Sequence, residues 1–537
     1  MSYENILNDL LGQINLDSCR DEKKELLSVL VAAAIIKKLQ LCRVENTVYW
    51  YTGTHYLIVN STLIKRAIIR LLIFEKKVFI EEVFYKLDGL IVGREFDDRK
   101  NCLSVKNGLI DLDDVVKYQT VVLLPHTDQV FCTYYLDVEY KKSSDLSYAG
   151  AVSLSDFMAS FTYDSFNADQ EDCCNKELDE LGEKIKKGEL TEREVSLYDT
   201  MLYLTYSMHK NLSVEMYHTL FEMVAYFLYP KNFLKKMFFI IGNKHNGKST
   251  FFYFLENFFG TENCSFLDFA MLGKQFGCSQ LENTWVNFGD DISNFKLVET
   301  SIFKKLASGD VLNVERKYQE NITITHSIKC LFSANVLPEI KLDGAGLDRL
   351  FLLPFDNTFA VSQNRNINIL EEVCNTQVFE VLLNWALEKL PGIVRSGKMT
   401  YQNYSRFTQK LNEYQESNSI LVHWIMENSK NDDEKFEDCM ARFLHHKPIG
   451  AAYDDFKEYC FKAGEKDIPI PLRNFVRELQ ALNVPCKKIR KMINGDRSVM
   501  LEFPNMPTNL ESGEKIIYLT PQKQDDFVDY VEDFFEK

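Results

Sequence analysis

In the stretch FFIIGNKHNGKSTFFYFLENFFG, residues 238–260, an apolar run is broken by a polar loop bounded by glycines and then resumes. The loop fits the spacing G-x-x-x-x-G-K-[ST] at Gly242, Gly247, Lys248 and Ser249, with Thr250 following. This pattern suits phosphate chemistry. Gly242 and Gly247 allow backbone geometry that side chains would block, so successive N–H groups across Asn243, Lys244, His245 and Asn246 can turn onto phosphate oxygens at a helix N-terminus. Lys248 would lie against β- and γ-phosphates, and Ser249 would offer its hydroxyl to Mg²⁺. The bland alternative is a glycine turn between a strand and a helix. MFFII before the loop reads as a buried strand and TFFYFLENFF after it as a helix, so the context such a cradle needs is present in order.

A phosphate site of this kind needs an acidic element. TWVNFGDDIS, roughly forty residues further on, is a short strand pattern ending in Asp290 and Asp291. Asp290 would bind Mg²⁺ through water and Asp291 would orient an attacking water; standing alone, the pair would be a solvated strand end. IKCLFSAN is another apolar run, ending in Asn335. If its strand neighbours the loop strand, Asn335 comes level with the γ-phosphate and can position the water; otherwise it is an Asn in a turn. VLNVER and NITITHS alternate with period two around the polar KYQEN, a hairpin whose tip carries Lys317 and Tyr318. That tip offers a cation to a phosphate and a ring to a sugar or base, although an isolated hairpin would be merely exposed. In GAGLDRLFLLPF, Arg349 precedes an apolar run; its plain alternative is a salt bridge with Asp343 or Asp348.

The chain that must position these residues has 537 residues, 46% of them hydrophobic, enough for several cores and about three domains. Its formal net charge of −16 argues against a surface that coats a polyanion throughout, so any nucleic-acid contact is concentrated. The N-terminus lacks the basic start of a secretory signal, and LLSVLVAAAII is too short to cross a bilayer; a cytoplasmic protein with no membrane partner is expected. The 13 cysteines are scattered without a C-x-x-C pair, which favours reduced thiols. Residues 1–168 mix helical periodicity with aromatic runs such as TVYWYTGTHYLIV, an α+β accessory domain. Residues 169–230 hold a charged linker and helices that lead into the loop. From 237 to 358 short apolar strands alternate with helical patterns, as in a mainly parallel sheet with helices on its faces.

In this order the elements resemble a superfamily 3 (AAA+-related) replicative helicase of the phage/plasmid primase-helicase group, the poxvirus- and phage-type family of viruses, plasmids and mobile genetic elements. GNKHNGKST is similar to the family's Walker A element, VNFGDD to Walker B, CLFSAN to the sensor Asn and SGDVLNVERKYQENITITHSIK to its hairpin. VKNGLIDLDD and LLPHTDQVFCTYYLDVEY resemble the region before the core, so the likeness runs from about residue 100 to 360. The resemblance implies an α/β P-loop NTPase (AAA+-like) core at 231–360, ATP and Mg²⁺ as cofactors, and a homo-oligomeric ring, a hexamer, moving 3′ to 5′ on single-stranded DNA. It implies that Arg349 reaches the neighbouring subunit's nucleotide, where a guanidinium stabilises charge on the transferring phosphoryl group. Lys235 or Lys236 is similar to a second cation supplied in trans. The family's hairpin tip has lysine followed by histidine, so Tyr318 departs from it and Lys317 is the safer match. Residues 1–100 show neither a zinc pattern nor a convincing D-x-D pair, so priming needs a separate primase or polymerase.

Beyond the core, residues 361–445 read as a helical collar or lid. Residues 446–537 give helix, helix and hairpin, resembling a winged helix with an acidic tail, DDFVDYVEDFFEK. Arg473 and Arg477 share a helix at i, i+4, and Lys487, Lys488, Arg490, Lys491 and Arg497 decorate the wing. This basic cluster can grip duplex DNA at an origin; the alternative is a solvated or protein-binding module. The expectation is an ATP-dependent replicative DNA helicase. The alternatives are an ATP-switched initiator or helicase loader without processive unwinding, and a P-loop phosphotransferase, which would not need the hairpin, Arg349 and winged helix together.

Overall fold

The aromatic run TVYWYTGTHYLIV folds into a hairpin in the computed structural model of the chain. Strands β1 (Leu41–Val44), β2 (Thr47–Tyr51) and β3 (Tyr56–Ile58) pair antiparallel in that order, with Gly53 in the β2–β3 turn at φ +99. Helices α1 (Tyr3–Gly12), α2 (Ser28–Leu39), α3 (Ser61–Leu71) and α4 (Lys77–Leu90) pack around Val31, Ile35, Ile68 and Val83. The structure describes residues 3–44, 47–59, 61–96, 101–162, 183–184, 187, 212–274, 276–290, 301–316, 321–324, 327–335, 346, 348–359, 368–403, 407–409, 411, 419–429, 434–463, 468, 470–482, 484–493, 496–504 and 517–518.

A second sheet has the order β6-β5-β4-β7, from β4 (Cys102–Val105), β5 (Gly108–Asp111), β6 (Leu123–Leu124) and β7 (Tyr135–Leu136). In LIDLDD, Asp111 ends β5 and caps α5 (Leu112–Tyr118) by accepting from the backbone N–H groups of Asp113 and Asp114. Helices α6 (Tyr148–Ser160) and α7 (Val214–Leu228) follow, and Ser147 and Ser213 cap them in the same way.

The next strands are β8 (Met237–Ile241), β9 (Cys264–Ser265), β10 (Val286–Gly289), β11 (Leu312–Val314), β12 (Ile322–Ile324), β13 (Lys329–Ala334) and β14 (Leu350–Pro354). Five of them form a wholly parallel sheet in the order β14-β8-β13-β10-β9. Covered on both faces, its strands read as continuous apolar runs rather than as alternations. Phe238 meets Phe227 of α7 at 5.3 Å, while Phe239, on the opposite face, meets Phe269 at 5.6 Å. Phe269 opens the short α9 (Phe269–Leu272), and α8 (Lys248–Phe259) and α10 (Ser301–Ser308) supply further cover. Each of the fully buried rings Phe238, Phe251 and Phe254 is worth about 2 kcal/mol of burial.

After β14, α11 (Ile369–Val373) and α12 (Thr376–Ser396) add Val373, Val381, Leu382 and Trp385 to the same core. The chain divides into two compact units, residues 1–338 with 349–407, and residues 339–348 with 408–537. In the second unit, α13 (Ile420–Met426), α14 (Phe436–Leu444), α15 (Ile449–Lys462) and α16 (Leu472–Ala481) share a core built on Trp424, Met440, Phe456, Phe475 and Leu479. A sheet β16-β15-β17 completes it, from β15 (Lys487–Ile493), β16 (Asp496–Glu502) and β17 (Ile517–Tyr518). The expected helix, helix and hairpin form in that order. α13 and α14, which lie in the stretch read as a collar, belong to this second core. Among the described residues no helix is long and apolar enough to cross a membrane, and each cysteine is a free thiol.

Candidate phosphate-binding site

β8 ends at Ile241, and the six residues before α8 form the glycine-bounded loop. A Cβ on Gly242 would sit 1.8 Å from Asn246 Nδ2 and 2.3 Å from the Phe355 carbonyl oxygen, so no side chain fits there. Gly247 caps α8 at φ +81, and its missing Cβ would come within 2.7 Å of the Phe161 ring. Asn243, Lys244 and His245 are exposed, His245 at φ +64, and Thr250 is half-buried in the first turn of α8. Asn246 is buried and donates from Nδ2 to the Phe355 carbonyl at 2.8 Å. The Phe359 N–H donates to the His245 carbonyl at 2.8 Å, so the segment after β14 clasps the loop from outside. The first turn of α8 carries no acidic residue of its own.

Lys248 lies beneath this loop, 8% exposed. Its ammonium donates to the carbonyls of Gly242 at 2.7 Å and Asn243 at 3.0 Å, to Asn246 Oδ1 at 3.0 Å and to Asn335 Oδ1 at 3.0 Å. Asn335 reaches it because β13 pairs directly with β8, with Ala334 opposite Ile241. On the far side of β13, β10 delivers Asp290, an exposed carboxylate. Ser249 Oγ donates to Asp290 Oδ2 at 2.8 Å, and Ser333 Oγ donates to Asp290 Oδ1 at 2.5 Å. Lys248, Ser249, Asp290 and Asn335 thus converge at the C-terminal end of three adjacent parallel strands. Ser333 was not among the residues expected from sequence. Its signal was its spacing from Asn335, since i and i+2 on a strand share a face.

Arg349 lies elsewhere. It precedes β14, which pairs with β8 so that Leu350 faces Met237 and Pro354 faces Ile241. Its own carbonyl accepts from the Met237 N–H at 2.8 Å, and Nη2 donates to Ser308 Oγ at 3.3 Å. Arg349 is therefore at the N-terminal end of the sheet, about 16 Å of strand from the loop. Lys235, exposed, and Lys236, half-buried, are at that same end, immediately before β8. Asp343, a suggested partner of Arg349, lies outside the described residues, as does Asp291.

The β11–β12 hairpin pairs Leu312 with Ile324 and Val314 with Ile322, and Arg316 at its edge bonds to Glu282. Its tip residues Lys317 and Tyr318 lie outside the described residues. On α16, Arg473 and Arg477 are both exposed while Phe475, Val476 and Leu479 are buried. The basic run on β15 is divided by strand alternation. Lys487 and Lys491 share the face of the buried Ile489, and Lys491 is only 7% exposed. Lys488 and Arg490 take the other face, where burial and then the Arg490 charge hold Lys488 below the usual lysine range. Arg497 is placed by its backbone in β16 opposite Met492.

A family described as "Family of unknown function (DUF5906)" matches residues 240–349, a stretch that begins in β8 and ends on Arg349. No curated protein matches the chain. Solved structures similar to it include "The A form apo structure of NrS-1 C terminal region-CTR", at 10% identity and TM-score 0.38, covering 89% of this chain and 100% of that one. Another is "The A form apo structure of NrS-1 C terminal region-CTR(305-718)", at 11% identity and TM-score 0.37, covering 86% and 94%. A third, "The apo structure of NrS-1 C terminal region (305-718)", has 14% identity and TM-score 0.31 over 54% and 72%. Likeness at that level fixes no function.

Proposed function

We propose that the chain is an ATP-dependent replicative DNA helicase of a mobile element, plasmid or phage, working as a homo-oligomeric ring. One observation carries the reading: the lysine and serine of a glycine-bounded loop meet an acid and an amide from neighbouring parallel strands. The donor set fits ATP and Mg²⁺. The loop N–H groups and the N-terminus of α8 suit phosphate oxygens, and the Ser249 hydroxyl and Asp290 carboxylate, 2.8 Å apart, are hard oxygen ligands of the kind Mg²⁺ takes. Bound there, Mg²⁺ supplies charge neutralisation to the phosphoryl oxygens.

The chain's own groups do the rest. Lys248 already satisfies its charge with four oxygens and can exchange some of them for β- and γ-phosphate oxygens at little desolvation cost. Asn335 holds both Lys248 and, through its amide, an attacking water, with Asp291 as the base that orients that water. Arg349 is too far along the sheet to serve its own loop, which supports a role at the loop of an adjacent subunit, with Lys235 or Lys236 beside it. Lys317 and Tyr318 contact a single strand, and Arg473, Arg477, Lys488 and Arg490 contact duplex phosphates.

The deciding experiment is ATP-driven unwinding of forked DNA carrying a single 3′ or 5′ tail, combined with the mass of the assembly. Unwinding that requires the 3′ tail, a six-subunit mass and loss of turnover in Lys248→Ala are the expected results. ATP binding without strand displacement would replace the helicase with an initiator or loader.

A further inference from the structure

We infer that Ser333 is a positioning residue that fixes the Asp290 carboxylate for the metal bound with the nucleotide. The inference rests on the ATP·Mg²⁺ reading of the site and assigns a role within it. Asp290 stands at an exposed strand end, where a carboxylate rotates freely unless something pins it. Ser333 is fully buried, and its backbone is fixed within the sheet, with Ser333 paired to Ile240 and its neighbour Phe332 paired to Gly289. Its hydroxyl donates to Asp290 Oδ1 at 2.5 Å, the length of a hydroxyl-to-carboxylate bond strengthened by charge.

That bond divides the labour of the carboxylate. Oδ1 is held by the sheet, and Oδ2 faces the Ser249 hydroxyl at 2.8 Å, on the side where a cation's oxygen shell would form. The residue before Asp290 makes the reach short. A Cβ on Gly289 would lie 2.4 Å from the Phe332 ring and 2.9 Å from the Leu267 carbonyl oxygen, so glycine lets this end of β10 close on β13. Ser333 on β13 and Asn335 just beyond its end then serve the acid and the lysine from one strand terminus.

The test is calorimetric titration of the full chain with ADP, with Mg²⁺ and in excess EDTA, for wild type, Ser333→Ala, Ser333→Thr, Asp290→Asn and the double variant Ser333→Ala/Asp290→Asn. Ser333→Ala is expected to keep its ADP affinity in EDTA, to lose about tenfold of the Mg²⁺-dependent gain and to need correspondingly more Mg²⁺ for half-saturation. Ser333→Thr, which keeps the hydroxyl, restores the gain, and Ser333→Ala adds no loss in the Asp290→Asn background. An unchanged Mg²⁺ gain in Ser333→Ala overturns the inference, as does an equal loss in EDTA or an additive loss in the double variant. A wild type that binds ADP with no gain from Mg²⁺ sinks the metal reading beneath it, a distinct failure visible before any variant is made.

Discussion

Lys248 and Asn335 are 87 residues apart in the chain, and their side chains meet at 3.0 Å. The contact exists because β13 inserts between the strand that feeds the loop and the strand that ends in the acid. Asn335 thereby shares with the loop itself the task of orienting the ammonium, whose other oxygens come from Gly242, Asn243 and Asn246.

Asn335→Ala should separate binding from turnover. Three oxygens of the loop still hold the lysine, so ADP affinity is expected to stay within about threefold of wild type, a fraction of one hydrogen bond. ATP turnover is expected to fall at least about tenfold, because in the proposed mechanism the attacking water and the lysine would lose a common anchor. Steady-state kinetics beside an ADP titration decide it; an affinity loss as large as the turnover loss would make Asn335 a binding group only.

Two of the positive-φ glycines that flank helices, Gly397 and Gly247, predict a contrast. Gly397 ends α12 at φ +64 with open space where a Cβ would go, so Gly397→Ala costs backbone strain alone, about 1 kcal/mol. Gly247 has φ +81 and also faces Phe161 at 2.7 Å and Phe359 at 3.1 Å. Gly247→Ala is expected to cost roughly 2–4 kcal/mol, because strain and overpacking both act. Urea unfolding of both variants measures the difference, and equal costs would remove the ring contacts from the account.

The location of Arg349 at the N-terminal end of the sheet predicts dominance in mixtures. Arg349→Ala should bind ADP as wild type does, since its own loop is distant, yet lose turnover by roughly a thousandfold, the scale of an arginine supplied in trans. Titrating the variant into wild type should then depress ATPase activity more steeply than simple dilution. A linear decline would confine the role of Arg349 to its own subunit, beside Ser308.

What was legible in the sequence was whatever is local. The strand, loop and helix around Lys248 follow from glycine spacing and apolar runs, and the hairpin β11–β12 from a period of two. Strand order is not local, and whether Asn335 reached the site depended on β13 lying beside β8, which no single run encodes. The spacing of Ser333 from Asn335 hints at a shared side of the strand, but a serine inside an apolar run reads as a tolerated small residue, and the carboxylate opposite it follows from the pairing of β13 with β10. The position of Arg349 needed the register of β14, and the contiguous basics of CKKIRK concealed that alternation sends Lys488 and Arg490 one way and Lys491 the other.

The accessory part of the chain predicts an acid limit to stability. His55 is 4% exposed, stacked on Tyr135 at 4.7 Å, with Nδ1 within 2.8 Å of Thr54 Oγ1 and 3.1 Å of Thr52 Oγ1. Burial, with a smaller contribution from His126, lowers its pKa from the ordinary 6.5 to about 4. A depressed folded value means that the unfolded chain takes up the proton first. The contribution of His55 is therefore complete above pH 6.5 and is lost as pH falls toward 4, by about 3 kcal/mol in all. His55→Gln cannot titrate, so the stability gap between it and wild type should shift steadily in the variant's favour as the pH is lowered from 7 to 4.5. Urea unfolding of the two proteins across that range gives the gap directly. If it stays constant, His55 takes up its proton at the same pH in the folded and the unfolded chain, and an acceptor in its neighbourhood must offset the burial.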